Sequence, residues 1–182
     1  MILVRPTLER LPSYVAALKR GWSPSTHEDI SLQELQRIER NAARFIELQD
    51  DPDAKGDPVK KHDGSFVPRL PSFRRWMWDG EFAGVISLRW QAGTAELPPW
   101  CLGHIGYSVV PWKRRRGYAT EALRLILLEA RDLGLPYVEI TTTEKNTASR
   151  RVITANGGTL LGNFLTDERP GDTDMLRFRI DL

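Results

Sequence analysis

Val109-Val110-Pro111-Trp112-Lys113-Arg114-Arg115-Arg116-Gly117-Tyr118-Ala119-Thr120 is the stretch that decides how this chain is read. An apolar strand stops at a proline, four basic residues follow, and a long helical pattern opens at a glycine. The start of a helix exposes unpaired backbone N–H groups and the positive end of the helix dipole. A pyrophosphate fits such a place. Gly117 and the small Ala119 let a ligand come close to the backbone, Thr120 adds a hydroxyl, and Arg114, Arg115 and Arg116 add charge. The spacing is neither that of a Walker loop nor that of a dinucleotide fingerprint. The residues alone leave two readings open, a phosphate site and a basic turn that is an ordinary solvated face.

Downstream, Ala119, Leu123, Ile126, Ala130 and Leu133 fall on one stripe and predict a helix over 117–133, stopped by Gly134 and Pro136. A β-branched strand follows over 137–143. A short helix over 147–155 is entered at Asn146 and left through Asn156-Gly157-Gly158. Strands over 159–165 and 175–180 close the chain around a polar turn at Pro170-Gly171. Upstream, a strand over 102–110 ends at Pro111, and residues 92–99 are a connection. Asp79-Gly80, between runs 72–78 and 81–90, predicts a hairpin with a two-residue turn. Residues 49–71 are rich in Asp, Lys, Pro and Gly and read as a mobile surface insertion, or as a lid over a substrate. Ser31 and Glu34 form a capping box for a helix reaching about residue 48. Thr7 caps a helix over 7–19, and residues 2–5 form a first strand. Strands and helices in this order predict an α/β chain, a mixed sheet with helices on its faces, in a single domain over 1–182.

The 182 residues are 41% hydrophobic and 27% charged with a net charge of +2, which suits an ordinary globular core and gives no global field for nucleic acid. The single cysteine, Cys101, excludes an internal disulfide, and with His27, His62 and His104 it has no metal-ligand spacing. The short apolar start is not a signal peptide and no run is long enough for a membrane span, so the expected location is cytoplasmic.

Arg114-x-x-Gly117-x-Ala119 matches the acetyl-CoA signature of the GNAT superfamily of N-acetyltransferases. Ile105-Gly106-Tyr107-Ser108-Val109-Val110-Pro111 resembles the strand before that signature. Glu139-Ile140-Thr141-Thr142, then Asn146-Thr147-Ala148-Ser149-Arg150-Arg151-Val152 and Gly157, resemble the strand and helix after it. The resemblance is specific over residues 102–161. It implies a mostly antiparallel central sheet of six to seven strands with helices on both faces. It also implies acetyl-CoA as cosubstrate: backbone groups of Tyr107, Ser108 and Val109 on the pantetheine arm, amides of Arg115, Arg116, Gly117, Tyr118, Ala119 and Thr120 on the pyrophosphate, and Asn146 and Ser149 near the thiol. Two neighbouring parallel strands are expected to splay apart where the thioester sits.

The implied reaction is attack of an amine on the thioester carbonyl, an oxyanion held by a backbone N–H of the 107–109 strand, and departure of the CoA thiolate. The family's tyrosine acid would fall at Ile153, leaving Ser149 as the nearest hydroxyl; Ser149 either serves the thiol or only contacts CoA or a helix carbonyl. The family's glutamate base maps to about Gly103, with His104 beside it and Glu96 a further candidate; His104 is either the base or a structural histidine. Trp22, Trp76 and Trp78 are core residues or the walls of an acceptor pocket. The function expected is N-acetylation of a small-molecule or peptide amine. A GNAT domain that binds acetyl-CoA as a sensor without turnover is the alternative. A homodimer through the terminal strands is compatible with the pattern, and neither nucleic acid nor membrane is an expected partner.

Overall fold

In the computed structural model, residues 1–26, 28–61, 63–165 and 175–182 are described. A first sheet runs in the order β1 (Ile2–Val4), β5 (Ser72–Trp78), β6 (Phe82–Arg89), β7 (Ile105–Val109), with β2 (Asp50–Asp51) on the far end of β5. A second runs β8 (Tyr137–Thr143), β10 (Met175–Asp181), β9 (Thr159–Phe164). Every pairing between these strands is antiparallel. The sheets meet where β7 and β8 lie side by side, and helices cover both faces; this is the expected α/β class, but built as two antiparallel sheets rather than one mixed sheet of six to seven strands. Among the described residues no helix is long and apolar enough to cross a membrane.

One face carries α1 (Leu11–Lys19), α2 (Ser31–Arg40) and α3 (Ala42–Glu47). Leu11, Tyr14, Ala17 and Leu18 recur at helical spacing and turn α1 onto the sheet. There Tyr14 stacks on Trp76 at 5.0 Å between ring centroids and meets Trp22 and Phe82 edge-on. Trp22 and Trp76 are 2% and 0% exposed, so they are core, and the acceptor-pocket reading of these two fails. The other face carries α4 (Tyr118–Asp132), whose buried stripe is Ala122, Leu123, Ile126, Leu127 and Ala130. Ala119 is only half-buried and Leu133 is exposed, which turns the stripe from the expected one. Arg75, 5% exposed, fastens β5 to α4 through Glu129 and to β2 through Asp50.

Several local expectations shift. The turn between β5 and β6 has three residues, Asp79, Gly80 and Glu81, with a bulge at Met77/Trp78; Gly80 takes the positive φ of 108°. Helix α1 starts at Leu11, after a turn in which Thr7 Oγ1 accepts the Arg10 N–H. The capping box is not made. Asp29 accepts the Ser31 N–H, while Glu34 is buried and accepts from the Tyr14 hydroxyl at 2.6 Å. The helix expected to reach residue 48 breaks at Asn41, which turns extended and accepts the Arg44 N–H to cap α3. The 49–71 stretch holds β2 and a small hairpin of β3 (Val59–Lys60) and β4 (Phe66–Val67), with Asp51 accepting the N–H groups of Lys55 and Gly56. Helix α5 (Thr147–Thr154) and β8 fall where expected; the turn at Pro170-Gly171 lies outside the described residues.

Candidate active site

The basic stretch folds as a short 3-10 turn (Pro111–Lys113) and an open loop that hands over to α4 at Gly117. Arg115 and Gly117 have φ of 66° and 77°, the left-handed region. For Arg115 that conformation costs about 1–3 kcal/mol, so the surroundings must impose it. No side chain caps α4, and the first intrahelical donor is the Glu121 N–H to the Gly117 carbonyl. The helix-start amides ahead of it have no side-chain cap, and Arg114, Arg115, Arg116 and Gly117 are exposed around them. This is an anion seat in the physical sense argued above. Asp79, from the β5–β6 turn, spans its two ends: one carboxylate oxygen takes Lys113 Nζ, the other the Tyr118 hydroxyl at 2.6 Å. Burial alone would raise the Asp79 carboxyl, but these hydrogen bonds outweigh it and hold the group below the ordinary carboxylate range. Lys113 is buried and paired with Asp79 and Glu81, so its charge belongs to the clamp. Sequence reasoning missed Asp79, which reads only as a turn former.

Strand β7 pairs with β6 on one edge, and alternation along it sets what faces the other. The Val110 N–H goes to the Ala83 carbonyl, so Ser108, two residues back, also turns its backbone to β6. Tyr107 and Val109 turn theirs to the free edge. Of the three residues expected on the pantetheine, these two are so placed and Ser108 is not. The Ser108 hydroxyl accepts the Trp22 indole N–H at 3.0 Å and donates to the Ser23 carbonyl, tying β7 to the loop after α1. Arg114 Nε donates to the Val109 carbonyl at 3.2 Å, on the free edge itself.

The Tyr107 side chain crosses to α5, where its hydroxyl lies 2.8 Å from Ser149 Oγ. Burial pushes the Tyr107 phenol up to about 12, with the Ser149 contact acting against it, so it stays protonated at neutral pH. Asn146 caps α5 by accepting the Ser149 N–H at 3.1 Å and so fixes where that serine stands. Ile153 is fully buried and Thr120 gives its carbonyl to Asn156. Tyr107, Ser149 and Asn146 therefore form one cluster at the mouth of the free edge.

His104 is elsewhere. At the base of β7 its N–H reaches the Glu139 carbonyl at 2.7 Å, and its Nδ1 accepts the Glu139 N–H at 2.9 Å. These two bonds join the sheets at the seam. The ring is 1% exposed, and burial holds its pKa below the ordinary value against the pull of the Glu139 charge. A neutral ring whose Nδ1 already accepts carries its proton on Nε2 and has no lone pair left for a substrate. The geometry therefore speaks against His104 as the base and makes it a latch. A Cβ at Gly103 would come 3.1 Å from the Glu139 carbonyl, so any side chain there would press on the seam. Glu139 is paired with Arg179 and Arg177, and Glu96 lies exposed on the preceding connection.

A profile of the acetyltransferase (GNAT) domain matches residues 15–159. The chain belongs to the GNAT acetyltransferase family. Solved structures similar to this GNAT chain include the microcin C7 self-immunity acetyltransferase MccE in complex with acetyl-CoA and AMP, with 15% identity, 99% of this chain and 91% of that one covered, and a TM-score of 0.65. The ribosomal L7/L12 α-N-protein acetyltransferase RimL in complex with CoA shares 18% identity over 99% and 93% of the two chains, at a TM-score of 0.63. RimJ of Mycobacterium smegmatis, in complex with CoA-disulfide, shares 19% over 98% and 80%, at 0.60. At such identities the likeness is one of fold. No curated protein matches the sequence. Acetyl-CoA is the cosubstrate that goes with this GNAT fold.

Proposed function

We propose that this GNAT domain is an N-acetyltransferase that moves the acetyl group of acetyl-CoA directly to a primary amine. The observation that carries the reading is the free edge of β7, which runs from the Tyr107–Ser149 pair straight into the uncapped start of α4. The amine nitrogen attacks the thioester carbon, the C–S bond breaks, and the amine's proton passes through water to the thiolate, while the chain's own groups bind and polarise. Tyr107 offers its backbone N–H and C=O, and Val109 its N–H, to the pantetheine amides, as one strand offers them to another, while Arg114 holds the Val109 carbonyl. The amides of residues 115–120 hold the pyrophosphate, with Arg115 and Arg116 beside it. A backbone N–H on the same edge stabilises the oxyanion as it forms. Tyr107, kept protonated, holds Ser149 Oγ at 2.8 Å; when the phenol donates across that contact, the serine's hydrogen is free to point at the departing sulfur. Ser149 thus acts where Ile153 cannot. The acceptor is a small-molecule or peptide amine; among the similar folds, RimL is an α-N-protein acetyltransferase.

Calorimetry with acetyl-CoA on the native chain, Gly117→Glu and Gly117→Ala tests the site. The alanine variant carries the backbone strain alone, because a Cβ there meets nothing within 4 Å. Native and alanine proteins are expected to bind, and the glutamate variant to lose binding through repulsion of the phosphates. No binding by the native protein sinks the proposal. Binding together with no release of free thiol across a panel of amines leaves the sensor reading instead.

A further inference from the structure

The sheet face under α1–α3 changes character along β6 and β7. Around Val85 it is the aromatic core. Further along the same face lie Ser87 and Arg89 of β6 with Gly106 and Ser108 of β7. A Cβ on Gly106 would stand 3.4 Å from Arg89 Nη2 and 3.8 Å from Ser87 Oγ, while Ser108 bonds to Trp22 and Ser23 of the helical layer. Arg74, opposite Ser87 in register, is on this face too, with Glu34 at 3.5 Å. A polar, basic floor therefore borders the residue just ahead of Tyr107, on the face opposite Ser149. At Gly106 no side chain covers it.

The two arginines differ in what they already hold. Arg74 has the buried Glu34 carboxylate. Arg89 is half-buried and donates from Nη2 to Ser87 Oγ at 3.2 Å; among the described residues it has no carboxylate partner. His104, next to it through the Arg89 N–H to its carbonyl, is neutral and supplies no counter-charge. A guanidinium has five N–H donors in a planar fork suited to carboxylate or phosphate oxygens. Most of this fork is uncommitted, beside the place where an amine must stand to reach a carbonyl on the β7 edge. A cationic acceptor would meet repulsion there from Arg89 and gain nothing from Arg74.

Resting on the acetyl-transfer reading, we infer that the acceptor of this enzyme carries an anionic group, carboxylate or phosphate, a few bonds from its amine, and that Arg89 binds it. Arg89 is then the residue that sets acceptor specificity, with Arg74 as the charge behind it.

The test is nuclear magnetic resonance on 15N-labelled protein saturated with CoA. The titrants are four tripeptide amides differing only at the second residue: Ala-Asp-Ala, Ala-phosphoserine-Ala, Ala-Asn-Ala and Ala-Lys-Ala. At least one acidic peptide is expected to shift the Arg89 Nε–H and Gly106 amide resonances and to bind at least about ten-fold tighter than the Asn and Lys peptides. The tighter of the two acidic peptides identifies carboxylate or phosphate. Arg89→Gln should erase the preference and Arg89→Lys keep part of it, both with CoA affinity unchanged, which shows the fold intact. Equal binding of the Asn peptide, no binding of either acidic peptide, or a preference that survives Arg89→Gln overturns the inference while leaving acetyl transfer standing. A native protein that cannot be saturated with CoA overturns both.

Discussion

Tyr107 turns its backbone to the free edge of β7 and its phenol to Ser149, so in the proposed mechanism one residue joins the binding strand to the leaving-group side. Removing the hydroxyl should separate the two. Tyr107→Phe is expected to lower kcat about ten-fold with KM for acetyl-CoA nearly unchanged, and Ser149→Ala to lower kcat on the order of a hundred-fold, read by steady-state thiol release. Asp79 works on the other end. Asp79→Asn weakens the hold on both Lys113 and Tyr118 and should raise the acetyl-CoA Kd about ten-fold by calorimetry, while leaving affinity for acetyl-pantetheine, which has no pyrophosphate, unaltered. Neither role was legible along the chain. The signature around Gly117 announces its ligand because a helix start does its chemistry locally. Asp79 reaches that loop from a turn far back in the sequence, and Tyr107 meets Ser149 only through the packing of α5 on β7. The sequence did show that Ile153 cannot serve as an acid; it had no means of showing which phenol stands nearby instead.

Elements were readable where a terminator and a period agree. Helix α4 has Gly117 before it and Gly134 after it, β8 follows Pro136, and Asn146 caps α5 as its sequence suggests. The helix expected through residue 48 failed for a particular reason. Leu35, Ile38, Ala42 and Phe45 keep helical spacing across a break that no apolar pattern registers, because Asn41 ends one helix in an extended conformation and caps the next. Glu34 misled likewise: its place three residues after a serine suggested a cap, yet Tyr14 and Arg37 hold it in the core. The two asparagine caps give a comparison. Asn41→Ala and Asn146→Ala should each lower stability by about 1 kcal/mol in urea unfolding. Only Asn146→Ala should also lower kcat, since it alone fixes the position of Ser149.

Across the whole molecule, two sheets share one seam, and His104 is half of it. The imidazole is held neutral by burial, so protonation is disfavoured in the folded state and ordinary in the unfolded one. The sign follows. Above the ordinary value of about 6.5 the ring is neutral in both states and contributes no slope. Below it the unfolded chain takes up a proton that the folded chain refuses, and stability falls by up to about 1.4 kcal/mol per pH unit from this group. His104→Asn keeps an acceptor near the Glu139 N–H and should flatten that part of the pH profile, whereas His104→Leu leaves the N–H unpaired and should cost about 1–3 kcal/mol at neutral pH. The sheet class was legible from the order of elements; the seam was not, since it rests on one histidine whose backbone N–H and ring both meet Glu139. The division at this seam is also a division in time. Every strand of the first sheet precedes residue 110, and every strand of the second follows residue 136. A ribosome adding about 5–20 residues per second completes the first sheet some seconds before β8 emerges. For that interval the edge of β7 that we propose for acetyl-CoA is a bare strand on a nascent chain, open to any other strand that finds it.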